Sequence, residues 1–419
     1  MMRLWIAAGA CLAAAGALVP NAGFRTPEPS CECRRLPAAT GRSARVESLP
    51  ELRDALGRAQ AGDTIFLAAG RYPLDRTIEL DRPGVSLRGE TGSPADVVLH
   101  GGGIDEGRVG VALSVSAPDV TIADLSVGEV GFHGIQVRGE SGASRVLVHN
   151  VRVFDTGQQL LKGSIGTNGL RADAGVVACS TFEYTTHAPS DYTNGVDVLT
   201  ARDWVVRGNR FVRIRGPEQR RWSAGPAVLF WRGSAGTLVE RNIFVDCFRG
   251  IALGLEPAAA GDPTAEGPFD HAGGSIRTNV LWNLNGWADE GIEANAARGV
   301  EIDHNTVMHL GLLPWSISVR FSGTIARVRN NLTARAIVER NGAQALPDGN
   351  VAGATSSWFV DAAAGDLRLR DATLPAIDIG VPLADLTEDF DCRPRRSGKA
   401  PDAGAYEFST ALPLRRPGG

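Results

Sequence analysis

In 419 residues, 43 lysines and arginines face 47 aspartates and glutamates, and the resulting net charge of −4 leaves no basic surplus for nucleic acid or an anionic membrane surface. Glycine is frequent, at 51 residues, while aromatics reach only 6%, a composition suited to many tight turns. A chain of this length ordinarily forms two or more domains, unless it grows by repetition in one dimension.

The chain opens with MMRLWIAAGACLAAAGALVPNAG, one arginine ahead of an alanine-rich apolar run that ends in small residues. This is the pattern of an export signal, expected over residues 1–22, and it argues for a secreted, periplasmic or cell-surface location. Gly9, Gly16 and Pro20 break the run, which disfavours a membrane anchor, and the residues before Cys11 match a lipidation box poorly. No other segment is apolar for long enough to span a bilayer. Residues 23–44 read as a linker carrying Cys31 and Cys33. Cys179 and Cys247 fall in apolar strands and Cys392 near the end. Export permits disulfides, a bridge from the Cys31/Cys33 region to Cys392 among them, but spacing does not fix the pairing.

A helix is expected next. Ser48-Leu49-Pro50-Glu51 is a capping box, and Leu49, Leu52, Ala55 and Leu56 fall on one face behind it. Such a helix would cover the open edge of a first coil that begins at GDTIFLAAGRYPL, residues 62–74. From there the chain repeats: VTIADLSV, LVHNVRVF, VVACSTF, VVRGNRF, LVERNIF, SIRTNVL, EIDHNTV and VRNNLT share one pattern around a pivot. The pivots are Leu125, Val151, Ser180, Asn209, Asn242, Asn279, Asn305 and Asn331, at spacings of 26, 29, 29, 33, 37, 26 and 26 residues. Short, β-branched, alternating segments between turn residues are strands, and a period of this size is that of a solenoid. Asparagine recurring at one pivot suits a stacked turn whose amides bond from coil to coil. Together these features predict an all-β parallel β-helix over residues 45–408, followed by a disordered tail at 409–419.

Between pivots each coil carries a second strand: GIQVR (134–138), QLLK (159–162), GVDVL (195–199), AVLFW (227–231), GIALG (250–254), GIEAN (291–295) and SISVR (316–320). With Ile135, Val196, Val228, Ile251, Ile292 and Ile317 facing inward, alternation puts two columns outside. One is Gln136, Leu160, Asp197, Leu229, Ala252, Glu293 and Ser318. The other is Arg138, Lys162, Leu199, Trp231, Gly254, Asn295 and Arg320. Lys162 draws notice because it and Lys399 are the only lysines among the 43 basic residues. Insertions at 184–194, 212–226 and 254–274 adjoin these strands and would wall a groove. Trp231 on the sheet and Trp222 in a loop offer flat surfaces for sugar rings. His133, His304 and His309 lack ligand spacing and are assigned to local hydrogen bonds; no metal site is expected.

The helix followed by GDTIFLAAGRY, the asparagine-pivot coils and the tail DFDCRPRRSGKAPDAGAYEF resemble exported bacterial right-handed parallel β-helix proteins of the pectate-lyase superfamily, over about residues 45–408. The resemblance implies roughly eight to eleven coils, an N-terminal capping helix and a C-terminal capping segment. It also implies a monomeric carbohydrate-active enzyme whose partner is an acidic polysaccharide, cleaved by β-elimination. Several lyases of that superfamily use a lysine or arginine base, which implies Lys162 as base. Arg138 would clamp the substrate carboxylate, and Tyr184 or His187 would protonate the leaving oxygen. Asp197, Trp231, Glu293, Arg320 and Trp222 are the expected substrate contacts. No cofactor is required by this reading. Calcium stays open, because related alginate and chondroitin lyases carry calcium-binding acids just before their lysine and DTGQQLLKGS lacks them. A hydrolase of the same fold is the alternative, through Glu290 with Glu293 or Glu183 with Asp197, since Asp197 and Glu293 are three coils, about 14 Å, apart. A non-catalytic glycan-binding β-helix is the other.

Overall fold

The computed structural model describes residues 33–104, 108–259, 267–396 and 398–410; the segment expected to be an export signal, Cys11, Cys31 and residues 411–419 lie outside the described residues. Short β-branched segments form strands that stack in register as three long parallel sheets. Sheet A runs from Ser43–Val46 to Gln344–Asp348, sheet B from Gly70–Pro73 to Val351–Ala352, and sheet C from Ile78–Leu80 to Ala336–Arg340. Each turn of the chain adds one strand to each sheet, which is the parallel β-helix that the pivot spacing predicts, right-handed as the resemblance implies. Among the described residues sheet B has 11 strands and sheet C has 10, at the upper end of the expected coil count.

The corner between sheets A and B repeats one backbone device. The residue before each pivot has a positive φ: Asp124 at 61°, Asn150 at 52°, Cys179 at 56°, Thr278 at 56°, His304 at 53° and Asn330 at 56°. Left-handed backbone costs a non-glycine residue about 1–2 kcal/mol, and the pivot behind it offsets this with buried hydrogen bonds. Asn242 shows how. Its Oδ1 accepts from the backbone N–H and the Nδ2 of Asn209, both at 3.0 Å, while its Nδ2 donates to the Val206 carbonyl at 2.9 Å and to Asn279 Oδ1 at 3.0 Å. The ladder continues through Asn279, Asn305 and Asn331 to Asn350, one coil beyond the predicted pivots. Inside, Phe182, Phe211 and Phe244 stack at 5.2 and 4.8 Å between ring centres.

The first coil and two outer faces are covered. The helix spans Leu49–Arg58 and buries Leu52 against the first coil, with Leu49, Ala55 and Leu56 packed beside it. Ser48 Oγ accepts the Glu51 N–H at 3.4 Å, but the Glu51 carboxylate reaches back to the Glu47 N–H, at 2.9 Å, instead of that of Ser48. The stretch after Cys33 crosses the outer face of sheet A, where Arg88 donates to the Pro37 carbonyl at 2.8 Å. Cys33 is bonded to Cys179, not to Cys392, which is itself in a disulfide; Cys179 stands at an A–B corner and not within a strand, where its thiol meets the passing N-terminal stretch. Cys247 is free and buried. The C-terminal segment does not stop at the last coil. It folds back along sheet B, where Ile243, Val245, Val280, Trp282 and Met308 pack under Phe359, Leu367, Phe390 and Tyr406. Among the described residues no helix is long and apolar enough to cross a membrane.

Candidate active site on sheet C

The register of sheet C decides which side chains face out. Ile135, Leu161, Val196, Val228, Ile251, Ile292 and Ile317 line up and are buried. The next residues form the outward column Gln136, Lys162, Asp197, Leu229, Ala252, Glu293 and Ser318. Lys162 therefore faces outward, but in the first column, where Leu160 was expected, and not in a row with Arg138. Two leucines cause the difference. Leu160 is buried in the turn, its N–H donating to the Asn194 carbonyl at 2.9 Å and its own carbonyl accepting from Ile135, while Leu161 is the inward strand residue. Alternation alone cannot say which of two adjacent buried leucines belongs to the sheet. Gly163 follows on the inside, where an added Cβ would stand 2.7 Å from a Val198 methyl.

Lys162 Nζ donates to Asp197 Oδ2 at 2.5 Å, and Trp231 Nε1 donates to the other oxygen, Oδ1, at 2.8 Å. The lysine side chain is 12% exposed and the carboxylate 2%. Burial raises the Asp197 carboxyl above its ordinary range, and the charge and hydrogen bonds of Lys162 and Trp231 work against that rise. Nearby His133 is lowered to about 4 by desolvation, with the Lys162 charge adding to it, so its ring is neutral beside the lysine. Arg138 stands apart, its Nε donating to Ser114 Oγ at 3.0 Å.

Three coils further on lies a second group. Arg249 Nε is 2.5 Å from Asp289 Oδ2 and 3.6 Å from Glu293 Oε1, and Asn295 Nδ2 donates to Glu293 Oε2 at 2.8 Å. Glu290 accepts from Ser318 Oγ at 2.5 Å and from Arg340 at 2.7 Å. Burial pushes Glu293 up to about 7, against the pull of Arg249. Arg320 stacks on Phe321 at 4.4 Å. One layering recurs along the sheet. Asp197, Glu290 and Glu293 are buried, and the heads of Lys162, Arg340 and Arg249 lie over them toward solvent. Glu183 takes no part, since it sits on sheet B paired with Arg152 at 2.6 Å, away from Asp197.

Loops leading from sheet B into sheet C form one rim. Tyr184, an expected proton donor, is instead a core residue. Its hydroxyl lies 2.7 Å from the Gln158 carbonyl and 2.6 Å from Thr193 Oγ1, and burial raises it well above the usual phenol range. It keeps the inward parity of Phe182 two positions earlier, a signal present in the sequence. His187 is exposed and meets Trp222 edge-on at 6.1 Å. Trp222 tilts against Trp287 at 6.0 Å, and Arg215 lies 4.3 Å over the Trp222 ring. Phe132, Tyr192 and Leu312 are exposed on this same rim, and Ile165 and Leu170 on the opposite one. Arg249, Asp289, Arg340, Arg215 and Trp287 escaped the sequence reading because each matters through a contact with a residue far away in sequence.

The acids that hold calcium in the resembling lyases have no counterpart before Lys162. Asp155 is bonded to the Thr185 N–H at 2.8 Å and to its hydroxyl. Among the described residues no group of three or more His, Cys, Asp or Glu side chains is arranged to hold a metal ion, and Arg249 stands between Asp289 and Glu293.

No family model and no curated protein matches the sequence. Solved structures do match. Pectate lyase Pel9A superposes with a TM-score of 0.58 at 16% identity, over 85% of this chain and 90% of that one. The chain has the fold of pectate lyase Pel9A. An alginate lyase from Paenibacillus sp. str. FPU-7 matches with a TM-score of 0.42 at 16% identity, over 62% and 95% of the two chains. A GH87 alpha-1,3-glucanase from Streptomyces thermodiastaticus strain HF3-3 matches at 0.48 and 15%, over 78% and 65%. At these identities the likeness to Pel9A establishes the fold alone, and the chemistry has to be argued from the groove.

Proposed function

We propose that the protein is an exported polysaccharide lyase that cleaves a uronic-acid-containing polysaccharide by β-elimination in the groove on sheet C. The observation that carries this reading is the layering of sheet C, in which buried carboxylates hold a surface layer of cations on a chain whose net charge is negative. The carboxylates beneath balance these cations, but the outermost groups are guanidinium and ammonium donors that can pair with the carboxylates of a polyanion.

In the reaction, Lys162 Nζ takes the proton from the carbon beside the substrate carboxylate. The electrons of that C–H bond form a double bond to the neighbouring carbon, from which the glycosidic oxygen leaves and is protonated. Neutralising the carboxylate acidifies that C–H bond, and arginines of the groove serve this role. Asp197 supports the base. It holds Nζ in place through Oδ2, and the lysine acts as base in its unprotonated form. Trp231 keeps the carboxyl oriented through Oδ1. His187, exposed at the rim, is the remaining candidate donor to the leaving oxygen.

A second reading is hydrolysis at Asp289 and Glu293, whose oxygens share one guanidinium nitrogen and so lie within about 6 Å of each other, with Glu293 raised by burial to about 7. One assay separates the two. With alginate, pectate and glycosaminoglycans as substrates, elimination gives the ultraviolet absorbance of an unsaturated uronide. That absorbance is expected with at least one of them, persisting in EDTA and absent in Lys162→Ala. New reducing ends without absorbance would replace the lyase reading with hydrolysis. Binding with neither product would leave a glycan-binding module.

A further inference from the structure

Among the described residues the guanidinium of Arg215, like that of Arg320, has no hydrogen-bond or ion-pair partner, and Arg215 alone of the two lies against two indole rings. Its guanidinium lies 4.3 Å over the ring of Trp222 and 5.6 Å from the ring centre of Trp287. Among the described residues it makes no hydrogen bond and no ion pair, and its Nε is fully shielded from solvent without a partner. Arg249, Arg340 and Arg138 each spend donors on Asp289, Glu290 and Ser114. Asp246 and Glu218 lend Arg215 only a distant field, and desolvation lowers its affinity for its proton without bringing it near neutrality.

A planar fork with five donors, held by two indole rings and without a protein partner among the described residues, is complementary to a planar oxyanion. The indoles also restrict water around the head, which strengthens any bond it makes. Position favours one source for that anion. Arg215 follows the sheet B strand Arg210–Val212, in the loop that leads to Pro226–Trp231 of sheet C. That sheet C strand is two coils beyond Lys162, about 10 Å along the axis. The rim there adjoins the cationic layer described above.

We propose that Arg215, seated on Trp222 and Trp287, reads the carboxylate of a uronate sugar further along the polymer than a trimer bound at Lys162 reaches, by a bidentate pair of hydrogen bonds. Trp222 and Trp287 are positioning residues in this arrangement. The proposal rests on the reading of the groove as a site for an acidic polysaccharide, and it adds a requirement that base chemistry does not make: chain length. A hexauronide spans both the Lys162 position and Arg215, whereas a short oligomer can satisfy only one.

The test is calorimetric binding, at constant salt, of tri- and hexa-oligomers of galacturonate and of mannuronate, with carboxyl-reduced hexamers and a sulfated neutral glucan as further probes. The unaltered protein is expected to bind a hexauronide more tightly than its trimer. Arg215→Ala should weaken the hexamer about tenfold or more, as loss of a charge-assisted pair does, and leave the carboxyl-reduced hexamer unchanged. Arg215→Lys should recover only part, because it restores charge without the fork. Because the Arg215 guanidinium has no hydrogen-bond or ion-pair partner among the described residues, both variants should fold, with melting lowered only by the stacking lost from Trp222 and Trp287. Equal hexauronide binding by Arg215→Ala would overturn the proposal while leaving the lyase reading intact. A loss confined to the sulfated glucan would overturn it in favour of a sulfate-reading site. No binding of any uronide by the unaltered protein would overturn both.

Discussion

Removing the Lys162 ammonium leaves Asp197 nearly inaccessible, with the Trp231 indole N–H as its remaining partner. Breaking a buried pair from one side typically costs about 3–5 kcal/mol. The cost here belongs at the low end, since the Asp197 carboxyl is already raised and takes up a proton readily. Lys162→Met is therefore expected to lose all elimination activity and about 3 kcal/mol of stability, measured by chemical denaturation. The double variant Lys162→Met with Asp197→Leu should regain most of that stability and none of the activity, because apolar replacements of similar size relieve the stranded charge. A single variant as stable as the parent would mean that the pair does not anchor this coil. Lys162 stood out in the sequence because lysine is so scarce there, and its outward direction followed from the cost of burying an unpaired ammonium. Its partner did not follow. The buried corner Leu160 moved the register by two residues, exchanging Arg138 for Asp197 as the neighbour and turning a cation beside a cation into an ion pair. Arg215 was illegible for a different reason: two tryptophans 65 residues apart in sequence meet over it only after the coils stack.

At the scale of the coil, the asparagine ladder makes each corner depend on the next. Asn279 Oδ1 accepts from the backbone N–H and Nδ2 of Asn242, and its Nδ2 donates to the Val239 carbonyl at 2.9 Å and to Asn305 at 3.0 Å. All of these groups are buried. Asn279→Ala would strand the Asn242 N–H and the Val239 carbonyl together, each at roughly 1–3 kcal/mol. A loss near 3 kcal/mol is expected, against less than 1 kcal/mol for a surface alanine such as Arg327→Ala. Asn279→Asp should be worse than alanine at neutral pH, because it places a charge where one hydrogen-bond donor used to be. Denaturation midpoints of the three variants check the order, and an aspartate variant as stable as the parent would contradict it. Here the sequence was most informative. A side chain that must be both donor and acceptor at one point of every coil is a strong constraint on residue type, and it appeared as a recurring asparagine. The αL residue before it was hidden, since Asp, Cys, Thr and His all adopt it here without a shared chemistry.

Across the whole molecule, the coils are tied to the C-terminal segment through a histidine. His304, at an A–B corner and fully buried, receives at Nε2 a hydrogen bond from Asn330 Nδ2 at 2.8 Å. Asn330 in turn donates to the Val381 carbonyl and accepts the Val381 N–H, both at 2.8 Å. Protonating His304 would set a donor against a donor, and the join to the returning segment would loosen with it. Desolvation, reinforced by Arg395, holds the ring well below its ordinary value of 6.5. The unfolded chain thus binds this proton first as pH falls, so the stabilisation from neutral His304 is complete above about pH 6.5 and is lost progressively below it. His271, lowered to about 3, and His309, lowered to about 4, act in the same direction. Glu293 and Glu407, raised to about 7 and about 8, act in the opposite one: their contribution is full below about pH 4.5 and fades as pH climbs toward those values. The pH curve of the parent protein sums these effects, so the difference between parent and variant is the informative quantity. His304→Gln should melt below the parent at pH 7 and converge toward it between pH 6.5 and 4, because glutamine has no proton to gain. Melting curves that stay parallel across that range would show that His304 does not control the attachment of the C-terminal segment.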